Sequence, residues 1–518
     1  MLKKILRVKL NIILIIIAGL IILQLISAYV FGFIIQKEKN RQFDYFLNKS
    51  PIIKVLKRDY HRGFFSSDIN VELTVNSATM ANVLKVLPSN ESAAVNSDHT
   101  YVLKYTTHIE HGLFSGVFHG NFLPIMSYSK INIEYSDNVK NILKKFFNGK
   151  PPLEITDVTY LNQSGKITAY SPGFDYEEAV SGVKVLWGGM EANLGYNTDF
   201  TKFNNSLEIP DLQLIAPTKG EMILHGVKYS SNSKYSVNKI KIGTTKLTVE
   251  LAKIEWKDKI ALDFKLGDVL KMITGINSAE FLNGIDAINP SSFVFNNISY
   301  SAISNDENNF FDANAKITFD TLITNGSTYG PLDLNLVISH VNSPAFSKLA
   351  DQVESYTANS LNNTDDTASR DEFIKILKND FAPILVESPV LSLSKFELKT
   401  PNGLIKVSGQ ATTKQFQSDD INDYDKFMNK LLIDINFSLP KPVVSYMFVL
   451  QMKYLLSAGN AEVDNQSSEA LTKVVNILLD NQINTWSKKG YLKINNGMLE
   501  SHLVLRDGKL VINGIATK

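Results

Sequence analysis

The stretch YHRGFFSS, residues 60–67, holds the densest set of side chains in this sequence that could do chemistry. Its phenol, imidazole, guanidinium and two hydroxyls belong to Tyr60, His61, Arg62, Ser66 and Ser67. Such a combination could form a binding or catalytic site. However, alternate side chains of an extended strand point to opposite faces, which would divide these groups between two surfaces.

A structural role is therefore the interpretation we favour, with a site as the alternative. Glycine allows a tight turn, so Gly63 is predicted to swing the chain into its first long strand, DINVELTV. Phe64 or Phe65 is then expected to enter the core. Arg62 and the two serines are expected to satisfy backbone groups where the first sheet begins.

A second candidate is the histidine cluster in HIEHGLFSGVFHG. Imidazole is a common metal ligand, and His108, His111 and His119 lie close together in the sequence. On a strand, residues three apart point to opposite faces, and the segment also resembles a strand end followed by a glycine turn. We predict neither a metal site nor a cofactor here.

The sequence has no motif with a known catalytic mechanism. It contains no cysteine, no Gly-x-Ser-x-Gly elbow, no His-Glu-x-x-His pair and no Walker loop. The acidic pairs Asp365-Asp366 and Asp419-Asp420 lie in polar stretches typical of solvated loops, and Gly188-Gly189 is typical of a turn or bulge. We predict that the protein is not an enzyme and has no catalytic residues.

The N-terminus predicts a membrane anchor. An apolar run covers residues 10–35, and a helix needs roughly 20 apolar residues to cross a bilayer. The run is longer than a signal-peptide core, and Ser27-Ala28 is a poor cleavage site, so the anchor should be retained and contact inner-membrane lipids. The cations of residues 1–9 favour a cytoplasmic N-terminus. The formal net charge of +1 gives no field that would attract nucleic acid.

Beyond the anchor the pattern is that of an α+β protein in which antiparallel strands predominate. Period-2 alternation predicts strands in DINVELTV, YVLKYTTHI, NKIKIGTTKLTVELAKIEW, SSFVFNNISYSAI and LDLNLVISHV. Helical periodicity is expected near residues 78–87, 138–147, 344–362, 369–389, 443–456 and 468–486, with Pro383 breaking or kinking its helix. We predict an elongated β-rich region over residues 36–340 and a mixed helix and strand region over residues 341–518.

Three parts of the sequence resemble the YdgA-like family of Gram-negative envelope proteins, a domain family of unknown function. Tyr60, Arg62, Gly63, Phe65, Ser66 and Ser67 match the motif that follows its N-terminal membrane helix. His111, Gly112 and Phe114 resemble its His-Gly-Pro-Phe motif, with Leu113 in place of the proline. The closing GKLVING resembles its C-terminal strand pattern. The resemblance implies a periplasmic protein anchored in the inner membrane, which forms homodimers and has no established catalytic residues.

Two functions of different class follow from these observations. The first is a non-catalytic binding or scaffold protein of the cell envelope, which could act as a homodimer. The second is a lipid-binding or lipid-transfer protein, in which curved antiparallel sheets form an apolar groove. This second hypothesis rests on analogy of architecture alone.

Overall fold

The N-terminal segment forms one long helix in a computed structural model of the protein. The structure describes residues 2–48, 53–75, 101–256, 292–324, 326–360, 375–446, 448–449 and 465–517. The helix runs from Leu2 to Asn48, and its part from Ile15 onward is long and apolar enough to cross a membrane. The predicted N-terminal apolar helix is thus confirmed. Residues 36–48, which the sequence assigned to the β-rich region, are helical because one of their faces packs against a sheet.

The chain forms two compact units, and the first comprises Met1–Tyr176, Val185–Pro210 and Ser230–Asn232. Its sheet is an antiparallel meander in which each strand pairs with the next in the order β1, β2, β3, β4, β5, β6, β9 and β10. The strands are β1 (Ile53–Arg62), β2 (Ser66–Val75), β3 (Tyr101–His111), β4 (Ser127–Glu134), β5 (Glu154–Thr159), β6 (Gly165–Ser171), β7 (Phe174–Glu177), β8 (Lys184–Trp187), β9 (Met190–Tyr196) and β10 (Lys202–Ala216). A helix, Asp137–Phe147, connects β4 to β5.

The second unit comprises Glu177–Lys184, Asp211–Tyr229 and Ser233–Lys518. Its strands are β11 (Gly220–Tyr235), β12 (Lys241–Trp256), β13 (Ser292–Glu307), β14 (Phe310–Phe319), β15 (Thr321–Thr324), β16 (Ser327–Tyr329), β17 (Leu332–Asn342), β18 (Val390–Thr400), β19 (Gly403–Thr413), β20 (Leu431–Pro440), β21 (Lys493–Asn495), β22 (Met498–Arg506), β23 (Lys509–Ile512) and β24 (Ile515–Ala516). Antiparallel pairing runs from β12 through β13, β14, β17, β18, β19, β20, β22 and β23 to β24. The predicted antiparallel β architecture is confirmed.

Helices lie between these strands at most of the predicted places. They are Ser343–Ser360, Ala382–Val386 and Asn465–Lys488, together with Asp137–Phe147 of the first unit. A further helix, Tyr424–Lys430, was not predicted. Pro383 lies in the first turn of helix Ala382–Val386, where the regular α-helix is interrupted, in agreement with the predicted break or kink. It follows a wide π turn, Leu377–Phe381, which accommodates a residue that has no N–H to donate. The predictions for residues 78–87, for residues 369–374 and for most of residues 443–456 fall outside the described residues.

Among the residues that the structure describes, buried apolar side chains form three core groups. In the first unit, Ile35 of the long helix packs with Ile69, Val71 and Ile109 of the sheet and with Met126. In the second unit, one core holds Ile240, Ile242, Phe311, Val341 and Ile384, and another holds Leu479, Ile483, Leu492 and Leu499. The alternation in DINVELTV therefore identified the core face of β2 correctly.

Two smaller interpretations have different outcomes. Gly189 has a positive φ of 91° and makes the turn between β8 and β9 that the glycine pair predicted. Asp420, expected in a solvated loop, is instead buried, where its carboxylate accepts a hydrogen bond from the Gln417 N–H at 2.8 Å. It caps a short 3₁₀ turn, Ser418–Asn422.

Candidate functional site

The YHRGFFSS stretch forms the hairpin between the first two strands. Arg62 ends β1, Ser66 begins β2, and the turn lies between them. The Gly63 N–H donates to the Ser66 carbonyl at 2.8 Å, and a Cβ atom at Gly63 would lie 2.8 Å from the same oxygen. The turn therefore requires glycine. Tyr60, further back on β1, packs against the core cluster around Ile35.

The side chains around this turn differ from the expectation. Phe64 and Phe65 are both exposed, so neither enters the core, because the turn points them beyond the end of the sheet. Among the residues that the structure describes, Arg62 has no backbone acceptor; its guanidinium carbon lies 3.5 Å from the centre of the Phe33 ring on the long helix, a cation–π contact. Ser67 is buried, and its hydroxyl pairs with a side chain of β3.

That side chain is His111, which connects β2 to the long helix. His111 is buried, with Nδ1 2.8 Å from the Ala28 carbonyl and Nε2 3.3 Å from Ser67 Oγ. Because a carbonyl only accepts, Nδ1 carries the proton, and Nε2 accepts from the serine hydroxyl. The ring fits here because Gly32 has no side chain: a Cβ atom at Gly32 would lie 2.9 Å from His111 Cε1.

The environment of His111 keeps its imidazole neutral. Burial lowers the pKa of His111, although the hydrogen bond to the Ala28 carbonyl partly opposes this effect. A neutral ring has one donor and one acceptor nitrogen, which is what its two contacts require. His111 therefore acts as a fixed hydrogen-bonding bridge between strand and helix.

The turn after His111 also binds the helix. The Phe114 N–H donates to Gln24 Oε1 at 3.0 Å, and the Leu113 N–H donates to Ser27 Oγ at 3.1 Å. Gly112 has a φ of 125°, and a Cβ atom there would collide with the Gln24 side chain. Gln24 and Ser27, two polar residues within the apolar run of the helix, thus satisfy backbone groups of this turn.

The three histidines of the predicted cluster do not converge. His108 is part-exposed and lies 2.7 Å from Asp68, whereas His119 stacks on Tyr128 and lies 3.1 Å from Glu110. His111 faces the helix instead. No group of three or more potential ligands that could hold a metal ion occurs among the residues that the structure describes.

A second polar cluster lies further along the helix, and the sequence analysis missed it. Lys39 Nζ lies 2.5 Å from Asp157 Oδ2, and both side chains are buried. Asp157 also accepts from Gln42 at 3.0 Å and from the Tyr196 hydroxyl at 3.2 Å. Burial, with a smaller contribution from the Asp157 charge, raises the pKa of Tyr196. The only signal in the sequence was the position of Lys39 and Gln42, which lie at helical spacing from Gly32 and therefore on the same face of the helix.

An apolar cavity of about 250 Å³ lies between the last turns of the helix and the sheet of the first unit. Most of its walls are aliphatic or aromatic: Phe43, Phe46, Leu47, Ile53, Ile69, Val71, Leu73, Tyr105, Ile131 and Ile167. Lys39, Gln42, Arg58, Thr107 and Asp157 supply its polar lining. The arrangement offers a partly open, mainly apolar compartment with a few polar groups.

Comparison with known proteins assigns the chain to a family but not to an activity. Residues 8–516 match the family described as bacterial protein of unknown function (DUF945). The chain belongs to this family. No curated protein matches the sequence. Because the match extends from the helix to the last strand, the helix and both units are parts of one family architecture.

The close approach of His111 to the helix predicts opposite effects for two glycine substitutions. Gly32→Ala should destabilise the first unit by roughly 1–3 kcal/mol, because the new methyl group overlaps the imidazole. Gly19→Ala, in the same helix with no atom within 4 Å of its Cβ position, should be neutral or stabilising through higher helix propensity. Thermal unfolding of the full chain in mild detergent measures both. Equal melting temperatures would contradict the packing described.

The lowered pKa of His111 predicts a loss of stability in mild acid. A histidine in the unfolded chain has a pKa of roughly 6.5, whereas the pKa of His111 in the folded protein is lower. Just below pH 6.5 the unfolded state therefore binds more protons than the folded state. The contribution of neutral His111 should therefore be complete above pH 6.5 and decline as the pH falls below it. Urea unfolding from pH 7.5 to pH 5.0 should show a steeper decline for the wild type than for His111→Gln.

Proposed function

We propose that the chain is a single-pass protein of the Gram-negative inner membrane whose β-rich region lies in the periplasm and acts by binding. The apolar helix, the cations that precede it and the membership in a family of bacterial proteins support this proposal. The resemblance of the Tyr60–Ser67 and His111–Phe114 motifs to the YdgA-like family supports the same location. The polar contacts of these motif residues serve helix docking, which is consistent with a non-catalytic role.

The cavity under the helix is the observation that best defines a ligand. Cavities of about 150 Å³ accept a molecule of the size of benzene, and sites for drug-sized ligands measure roughly 300–1,000 Å³. A cavity of about 250 Å³ fits between these limits. Its size and its aliphatic walls suit part of a single acyl chain, which favours the lipid-binding function.

The polar side chains at the cavity favour an anionic head group. Lys39 is neutralised by Asp157, whose oxygens accept from three donors. The Arg58 guanidinium stacks on Phe43 and donates from Nη2 to Asn40 Oδ1 at 2.7 Å, whereas its Nε is buried without a hydrogen-bond partner among the described residues. A buried donor without a partner is costly, and a carboxylate or phosphate oxygen would satisfy it. The proposed ligand is a single-chain anionic amphiphile such as a fatty acid.

A fluorescent fatty acid tests this proposal. The full chain in detergent should bind 11-(dansylamino)undecanoic acid with a rise in dansyl emission. Arg58→Gln should weaken binding roughly tenfold or more, because a charge-assisted hydrogen bond is lost. Lys57→Gln removes the neighbouring cation, which is exposed and paired with Asp59, and serves as the matched control.

The uncharged analogue 11-(dansylamino)undecanol separates the two parts of the proposal. It should bind the wild type and Arg58→Gln with equal affinity, because it lacks the anionic group. Binding of neither probe would contradict a lipid-binding cavity. Equal binding of the acid to the wild type and to Arg58→Gln would contradict the assigned head-group contact.

A separate observation favours self-association as a scaffold. Helix Asn465–Lys488 buries Leu479 and Ile483 in a core of the second unit. Its other side exposes a stripe of Val474, Ile477 and Leu478. Exposed apolar side chains at helical spacing are typical of an interface. The second candidate is thus a homodimer that uses this stripe.

A charge placed in the stripe tests the homodimer. Ile477→Lys should shift the purified full chain from dimer to monomer in analytical ultracentrifugation at micromolar concentration. Ile142→Lys, on the exposed face of helix Asp137–Phe147, is the control with a similarly exposed isoleucine. A monomeric wild type would reject this candidate without affecting the ligand proposal.

A further inference from the structure

Five large apolar side chains project from one end of the first sheet, and we call them the apolar rim. Their exposed fractions are 48% for Phe64, 51% for Phe65, 93% for Phe118, 80% for Phe122 and 72% for Leu123. Phe64 and Phe65 form the β1–β2 turn, and the other three lie in the loop between β3 and β4. A concentration of exposed aromatic and aliphatic groups of this kind marks an interaction surface.

Two polar side chains in the loop between β3 and β4 make contacts within the protein and do not contribute to the apolar rim. His119, next to Phe118, stacks on Tyr128 of β4 at 3.8 Å between ring centres and pairs with Glu110. The Asn121 side chain accepts from the Leu123 N–H at 3.2 Å. The His119 and Asn121 side chains are thus occupied within the protein, whereas Phe118, Phe122 and Leu123 are left exposed.

Both turns of the rim are fixed to the long helix. The Phe64 ring lies 5.9 Å from the Tyr29 ring. The loop that carries the other three side chains begins at Leu113 and Phe114, whose N–H groups bind Ser27 and Gln24. The position of the rim along the helix is therefore set at residues 24–29.

This position lies within the apolar run. From Lys9, the last cation before the run, to residues 24–29 the helix rises about 22–30 Å at 1.5 Å per residue. The hydrocarbon core is roughly 30 Å thick. A helix that keeps Lys9 at one polar boundary therefore carries the residues that bind the rim in the outer part of the hydrocarbon core on the opposite side.

We propose that the apolar rim enters the hydrocarbon of the leaflet adjoining the β-rich region, beside the anchor helix. This inference rests on the proposed membrane anchor and adds a second contact with the bilayer, made by the folded region itself. The occupant of the surface is lipid acyl chain, because the same helix that fixes the rim is itself surrounded by acyl chains at that depth. Arg62, stacked on Phe33, lies at the end of β1 where its cation can reach the lipid phosphates.

The absence of cysteine from the sequence makes a clean depth measurement possible. Two single-cysteine variants of the full chain, Phe118→Cys and Phe122→Cys, are labelled with a nitroxide and reconstituted in nanodiscs of phosphatidylglycerol and phosphatidylethanolamine. Power saturation compares collisions with oxygen, which concentrates in hydrocarbon, and with a water-soluble nickel chelate. Val102→Cys, exposed at the other end of β3 and about 30 Å from His111, is the matched control.

Labels at 118 and 122 should collide with oxygen at least several-fold more than the label at 102, and correspondingly less with nickel. Nickel access equal to that at 102 would overturn the proposal. Protection from both reagents would also overturn it, in favour of a protein that covers the rim. A label at Ile21, in the middle of the helix, reports the anchor separately. If the label at 21 collides mainly with oxygen while the labels at 118 and 122 are accessible to nickel, the proposal for the rim is rejected and the anchor is retained. If the label at 21 is accessible to nickel, the anchor itself is rejected.

Discussion

The fold of the first unit depends on one helix that has to satisfy two environments. Its earlier turns expose an apolar surface, and its later turns bury a stripe against the sheet. The stripe recurs every three or four residues and consists of Ala28, Gly32, Ile35, Lys39 and Gln42, preceded by the half-buried Gln24. The buried Lys39–Asp157 pair is its most demanding contact, because either charge left alone in the interior would cost several kcal/mol. Helix and sheet are therefore complementary parts of a single core.

This dependence explains residue types that look unrelated along the chain. The Tyr60–Ser67 and His111–Phe114 motifs are separated by more than forty residues in the sequence, yet Ser67 and His111 pair directly. The motifs resemble a reactive constellation because docking a helix onto strand ends requires donors, acceptors and glycines at close range. Their histidine is neutral and held on both nitrogens, which suits a bridge more than a proton carrier.

Much of the architecture could be predicted from the sequence because its signals are local. Alternation identified the strands. Tight turns have an equally local signal, because Asn496-Gly497 and Asp507-Gly508 are residue pairs that tolerate the positive φ found at these positions. The contacts of the helix were not local. Residues 36–48 are too polar for a membrane span, and the burial of Lys39 becomes visible only when Asp157, far along the chain, lies opposite. The exposure of Phe64 and Phe65 was missed because aromatic residues at a strand end are normally expected in a core.

The continuity of the helix has a mechanical consequence. Proteins tethered by flexible linkers can search a volume above the membrane that grows with the length of the linker. Here the helix that is long enough to span the membrane passes directly into the core of the first unit, bound at residues 24–42 with no slack between them. With the proposed membrane anchor, the first unit has a fixed height and a fixed orientation, and it turns only as the helix turns. A ligand or partner of a unit anchored in this way has to arrive at the membrane surface, because the unit cannot reach out to collect it.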